Sequence, residues 1–267
     1  MVTVSRELED GELAFIGMGT GGKAFILAVG VPAVASRLAQ LTHAPDFSFM
    51  FGPVINPDIE NPPRSERDFS SWRCQSLLPA RDCLSAFKRG AIDIGFIAGA
   101  QIDKYGNTNT VAIGEYSKPK VRLVGCIALT DHCAYAGRTI IMMRHIERSF
   151  VEKVDFITGV GYLYGTNNAR ASCGLTTGGG PSKVITDLAV LDFDSSTRQM
   201  RVDSLHPGVT IAQVKDNTRF DLIVSKETPT TPGPTEHQLE LIRNSIDPKG
   251  MWLNAGLTGA PTRLKER

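Results

Sequence analysis

Ile92-Asp93-Ile94-Gly95-Phe96-Ile97-Ala98 runs directly into Gly99-Ala100-Gln101-Ile102-Asp103-Lys104-Tyr105-Gly106-Asn107-Thr108-Asn109. The first stretch reads as a strand buried on both faces, as expected where helices cover both sides of a parallel sheet. Just upstream, 77–88 places Leu77, Cys83, Leu84 and Phe87 on one helical face, and Gly90 suits the C-terminal cap. A helix, a buried strand and a polar loop in succession form the repeating unit of an α/β fold. Working outward, further strands are expected over 13–18, 47–51, 139–143, 151–157 and 184–193. A helix should enter at Pro32 and continue over 33–40, and another should cover 236–246 and stop before Pro248. Segment 56–67, rich in Pro, Asn and charge, reads as a long surface loop, and 228–235, with Pro229, Pro232 and Pro234, as a stiff connector. Neither marks a boundary. The expected fold class is α/β, an open, largely parallel sheet flanked by helices, in one domain over 1–267.

Composition narrows the function classes. Lys+Arg 29 against Asp+Glu 28 leaves no basic footprint for nucleic acid or an anionic membrane. Glu7, Glu9, Asp10 and Glu12 stand where a secretory signal would need a basic start, and the apolar run 24–35 is too short to span a bilayer. A cytoplasmic location is expected. Cys74, Cys83, Cys126, Cys133 and Cys173 are odd in number and show no CxxC pair, so free thiols are expected rather than metal ligands or disulfides. No metal and no bound cofactor is anticipated.

Three glycine-bearing loops could carry chemistry. Gly17-Met18-Gly19-Thr20-Gly21-Gly22 satisfies GxGxxG after a strand. A dinucleotide site also needs an acidic residue ending the next strand, and here that strand ends at Phe51-Gly52. A loop facing a ligand or a partner subunit is the better reading. The 99–109 loop should emerge at the carboxyl end of its strand, where open α/β sheets bind ligands. Gly99 permits close approach, Gln101 offers a donor and an acceptor, and Asp103 to Gly106 reads as a tight turn. A plain polar turn is the competing reading. Thr176-Thr177-Gly178-Gly179-Gly180-Pro181 exposes backbone amides suited to phosphate or carbonyl oxygens, although a ligand-free approach to a hairpin is preferred. Asp131-His132-Cys133 invites a thiol nucleophile, but neighbours on a strand point to opposite faces. His145 follows an apolar strand and reads as a residue capping its end.

In combination these pieces resemble the beta subunits of family I CoA-transferases of the glutaconate type. The likeness runs through Thr42-His43-Ala44-Pro45-Asp46, the 99–109 loop, and Ile113-Gly114-x-Tyr116-x-x-Pro119-Lys120. It continues with Thr139-Ile140-Ile141-Met142-Met143-x-His145, Gly179-Gly180-Pro181-x-x-Val184-x-Thr186-Asp187, and Leu241-Ile242-Arg243-x-x-Ile246-Asp247-Pro248. The resemblance implies an open α/β fold, an alpha-type partner subunit and an active site at the interface of the two. It also implies a glutamate of the beta subunit that attacks the thioester. Gly52 stands in that glutamate's place, and the nearest carboxylates downstream, Asp58 and Glu60, fall in the Pro-rich loop. A family glycine-rich stretch is replaced by Gly125-Cys126-Ile127-Ala128, and a segment around 23–30 stands as an insertion. The chain shares the lost glutamate with the ring-cleaving hydrolases of bacterial steroid catabolism, whose catalytic glutamate comes from the alpha subunit. The expectations are therefore no catalytic residue in this chain, and an acyl-CoA pocket lined by Gly52, Gly99, Gln101, Asn107 and Asn109. Coenzyme A is expected as part of the substrate. The favoured reaction is hydrolytic C–C cleavage of a cyclic CoA thioester, with CoA transfer and a non-catalytic scaffold for the partner as rivals.

Overall fold

The computed structural model describes residues 1–17, 23–63, 66–166 and 168–254. They form two compact units, one of Met1–Cys83 with the chain from Pro234 onward, the other of Leu84–Gly233. The single domain expected over 1–267 would contain both.

In the first unit β1 (Leu13–Ile16) lies parallel to β2 (Ser48–Phe51), with Phe15 beside Met50. The crossover contains the helix Val31–Leu41, whose Ala33, Val34, Ala35, Leu38 and Ala39 are fully buried. It does not enter at Pro32 as expected, because Lys23–Phe25 and the π-helical Ile26–Gly30 run into it without a break. From β2 the chain turns back through Gly52 and Pro53 into β3 (Val54–Pro57), with Phe51 opposite Val54. β4 (Cys74–Leu77) then pairs antiparallel with β3. The expected loop 56–67 thus begins inside a strand, and Asn56 takes a positive φ of 45° there.

The C-terminal segment completes this unit. Thr235 and Gln238 form a reciprocal capping box that starts the helix expected over 236–246; its second half, Leu241–Ile246, widens to π-helix. The Asp247 carboxylate then accepts from the amides of Met251, Trp252 and Leu253, starting the short helix Met251–Asn254. Trp252 is thereby set 5.7 Å from the Phe51 ring, 6.1 Å from Phe25 and 6.4 Å from Trp72, between ring centroids. A Cβ on Gly30 would collide with the Trp252 carbonyl oxygen, so only glycine lets these backbones approach.

In the second unit β5 (Ile94–Ile97) is buried throughout, the helix-covered strand its sequence announces. The helix Ala80–Lys88 precedes it; Gly90, at φ 69°, closes its end as Gly90 N–H donates to Phe87 and Ala91 N–H to Ala86, a Schellman motif. Two ribbons follow, β6 (Gln101–Ile102) with β7 (Thr108–Asn109) and β8 (Ala112–Ile113) with β9 (Val121–Arg122). β10 (Arg138–Met142) runs parallel to β5, and β11 (Pro181–Ile185) runs parallel to β10. β12 (Ala189–Phe193) and β13 (Met200–Leu205) then fold back antiparallel, and β14 (Ile223–Val224) lies parallel to β13. The architecture is the α/β one expected, parallel at the centre of the unit with antiparallel strands beyond.

Four local expectations are corrected. Leu77, expected on the helical face over 77–88, instead closes β4, half exposed. The run 184–193 is two strands, because Thr186-Asp187-Leu188 make a tight hairpin in which the Thr186 hydroxyl accepts from the amides of Leu188 and Ala189. No strand forms over 151–157; Phe150 makes a single bridge to Ile102, and Glu152 and Asp155 reach sideways to Lys104 and Gln101. His132 and Cys133 lie on a helix, Leu129–Tyr135, not on a strand. No described helix is long and apolar enough to cross a membrane.

Candidate functional site

The 99–109 loop leaves the carboxyl end of β5 and returns on itself at once. Ala100 N–H donates to the Asn109 carbonyl at 2.9 Å, and Gln101 pairs with Asn109 across the ribbon. Asp103 to Gly106 form the expected tight turn, with Gly106 N–H on the Asp103 carbonyl at 2.9 Å and Gly106 at φ 74°.

The polar side chains of this loop are bonded inward. Asn107 Oδ1 accepts from the amides of Gly161 and Leu163, while its Nδ2 donates to the Leu163 carbonyl at 2.8 Å and to Asp103 Oδ2 at 2.9 Å. Asn109 Nδ2 donates to Gln101 Oε1 and to the Ala112 carbonyl, both at 2.7 Å, and its Oδ1 accepts from the amides of Val111 and Ala112. Gln101 Nε2 donates to Asp155 Oδ2 at 3.0 Å, and its Oε1 also accepts from the Asp155 amide. A carboxamide has two donor hydrogens and one accepting oxygen, so Asn107 and Asn109 are fully engaged, while Gln101 commits its oxygen and one of its two N–H groups. What they provide is a rigid loop. Asp103 is buried beneath it, accepting from the amides of Tyr105 and Asn107; burial pushes its carboxyl up to about 6 against the pull of those hydrogen bonds.

The Gly178 to Pro181 loop is engaged in the same way. Gly179 N–H donates to the Gly137 carbonyl at 2.8 Å, and the Tyr162 hydroxyl donates to the Pro181 carbonyl at 2.8 Å. Arg170, which sequence reasoning passed over, is buried here. Its guanidinium donates to the carbonyls of Val160, Gly161, Cys133 and Ala134, closing the end of the helix Leu129–Tyr135. No local pattern in its neighbourhood announces a buried arginine, because its partners lie far off along the chain.

The remaining candidates are structural in geometry. Burial pushes the Cys133 thiol up to about 12, so at neutral pH it carries no thiolate to act as a nucleophile. His132 is held down to about 3 by burial and packs 4.7 Å from the Phe87 ring. His145 sits just past β10, stacks 4.0 Å over Phe150, and is bonded through both ring nitrogens to Thr186 and Thr218. Burial lowers it to about 4.

In the first unit Gly52 is the buried first residue of the β2–β3 turn, at φ 50°. Proline follows it, and glycine at the first central position is what a primed two-residue hairpin demands. Asp58 serves its own loop, accepting from Glu60 N–H and Asn61 Nδ2, and Glu60 lies 3.9 Å from Arg37. Glu60 stands away from any strand end, whereas Asp58, expected inside the loop, directly follows the last residue of β3. Of the GxGxxG stretch, 18–22 lies outside the described residues. Among those residues no group of His, Cys, Asp and Glu is placed to hold a metal ion, and the five cysteines are free thiols.

Comparison with known proteins places the chain by family and fold. The family described as Coenzyme A transferase matches residues 84–217. The beta subunit of the 3-oxoadipate CoA-transferase of Pseudomonas knackmussii is 34% identical over 91% of this chain and 89% of its own. The cholesterol ring-cleaving hydrolase IpdB subunit of Rhodococcus jostii is 29% identical over 83% of each chain. The crystal structure of glutaconate coenzyme A-transferase from Acidaminococcus fermentans superimposes with a TM-score of 0.81 at 31% identity, covering 94% of each chain.

Proposed function

This chain belongs to the coenzyme A transferase family as a beta-type subunit, and from that premise we propose that it works with an alpha-type partner to cleave a cyclic acyl-CoA hydrolytically. The observation that carries the proposal is Gly52. In the place where the resemblance puts an attacking glutamate, the chain makes a hairpin turn with positive φ and no side chain. Such a position cannot hold an acyl or CoA group.

In this reading a carboxylate of the partner acts as general base and takes a proton from water. The resulting hydroxide adds to a ring carbonyl, the adjoining C–C bond breaks, and the released carbon takes up a proton while the thioester to coenzyme A survives. Gly52 leaves room for the acyl group. Gly99, Gln101, Asn107 and Asn109 shape the acyl-CoA wall, the three carboxamides by fixing the backbone of 99–109 rather than by bonding the ligand. CoA transfer, with its carboxylate supplied by the partner, is the second reading, favoured by the higher identity to a transferase chain than to the hydrolase chain, 34% against 29%.

The test is incubation of the two-subunit complex with a cyclic acyl-CoA, borohydride reduction and mass spectrometry. Hydrolysis gives a product heavier by one water, still joined to coenzyme A, with both subunits unmodified. A reducible CoA adduct on either subunit, or CoA delivered to a free carboxylic acid, overturns it.

A further inference from the structure

Val124 and Ile127 are each 84% exposed, on irregular chain where no helix or sheet requires an apolar residue. They continue the β8–β9 ribbon, since Leu123 N–H donates to the Val111 carbonyl and Gly125 N–H to the Thr110 carbonyl. On the same ribbon Tyr116 is 55% exposed and Val121 49%, and Ile157 outside it is 45% exposed. Tyr116 stacks on Phe156 with centroids 5.1 Å apart, and the Arg122 guanidinium lies 5.0 Å over the tyrosine ring. Exposed aliphatic and aromatic side chains along one ribbon, with an arginine over one of the rings, have the composition of an interface.

We propose that residues 110–127 form the face on which the alpha-type partner docks, and that the docked surface of that partner has an apolar centre and an acidic rim. The inference rests on the two-subunit reading above and adds where the partner sits. Charge selects the occupant. The ribbon exposes Lys118, Lys120 and Arg122 against a single carboxylate of its own, Glu115. A second copy of this chain, joined through a two-fold axis, would place these cations against themselves, whereas an acidic rim complements them.

The feet of the ribbon are tied to the candidate site. Asn109 bonds Val111 and Ala112, and Asp155 Oδ2 accepts from Gly114 N–H at 2.9 Å while also holding Gln101. A partner seated on 110–127 is therefore in fixed register with the 99–109 loop. This also gives the inward-turned carboxamides of Gln101 and Asn109 a function.

The experiment is co-expression with an alpha-type CoA-transferase subunit of the same genome, followed by size-exclusion chromatography and binding measurements at two salt concentrations. Val124→Asp with Ile127→Asp should weaken association by about a hundredfold or more. The thermal midpoint of the isolated chain should stay unchanged, because both side chains already face water. Lys118→Glu with Lys120→Glu should slow association and remove its salt dependence. If the apolar double variant pairs like the wild type, the docking face is wrong while the two-subunit reading stands. A wild-type chain that pairs with no alpha-type subunit overturns both. If the apolar variant instead changes self-association of this chain alone, a second copy is the occupant and the inference falls.

Discussion

Asn107 shows how a single side chain holds the candidate site. It joins the 103–107 turn to a backbone segment 54 to 56 residues further on, at Gly161 and Leu163. Replacing it by alanine would strand two buried amides, one carbonyl and part of the Asp103 carboxylate. Each orphaned group costs about 1–3 kcal/mol, less whatever water can recover. Asn107→Ala should therefore destabilise by about 3 kcal/mol or more, read as a lowered urea midpoint. Asn107→Asp should be at least as damaging, since it sets a second carboxylate against Asp103. The turn itself was legible in the sequence, because Asp103 to Gly106 carry their own geometric signals. The ligands of Asn107 were not, and neither was Arg170, because hydrogen bonds between distant segments leave no mark in local spacing.

Elements were legible where one period persisted and hidden where it broke. β5, β10 and the body of the helix Val31–Leu41 fall where hydrophobic runs place them, although Pro32 does not mark the helix start, which lies back at Lys23. The hairpin at Thr186–Asp187 was hidden inside an apolar run, with two polar residues as its only trace. β13 buries alternate residues from Met200 to Ser204, and its polar content masked it. At the far end of the chain, Asp247 starts the helix Met251–Asn254 by accepting from three amides. Asp247→Ala should cost about 1–2 kcal/mol, the usual loss for a helix N-cap. It should also red-shift the intrinsic emission, since the chain has only two tryptophans and both lie in the aromatic cluster that this helix completes. An unshifted spectrum would show that Trp252 stays seated without its cap.

For the molecule as a whole, three buried titrating groups of the second unit set the response to acid. His132 and His145, held at about 3 and about 4 when folded, take up protons first in the unfolded chain. Each therefore contributes stability that is present above the ordinary histidine range and lost as pH falls toward its folded value. Asp103, raised to about 6, protonates first in the folded state and opposes that loss between pH 6 and the ordinary carboxylate range. Each group is worth about 1.4 kcal/mol per pH unit, so two histidines against one aspartate leave a net loss of about 1.4 kcal/mol per unit from pH 6 to 4. Urea midpoints at pH 7, 6, 5 and 4 measure it, and His145→Gln should flatten the slope by bringing the opposing contributions into balance. The α/β class and the beta-type relationship were legible at this scale because they rest on several motifs spread along the chain. The division into two units was not, since it depends on which distant segments pack together. The first unit draws on both sides of the second in chain order, and that has a bearing on biosynthesis. A ribosome extrudes Phe51 about 200 residues ahead of Trp252, and nascent domains fold as units when their last contact emerges. The stretch Leu84–Gly233, contiguous in the message, can mature while translation continues. The earliest strands must wait, their aromatic surface uncovered, until the indole that shields them emerges about 200 residues later.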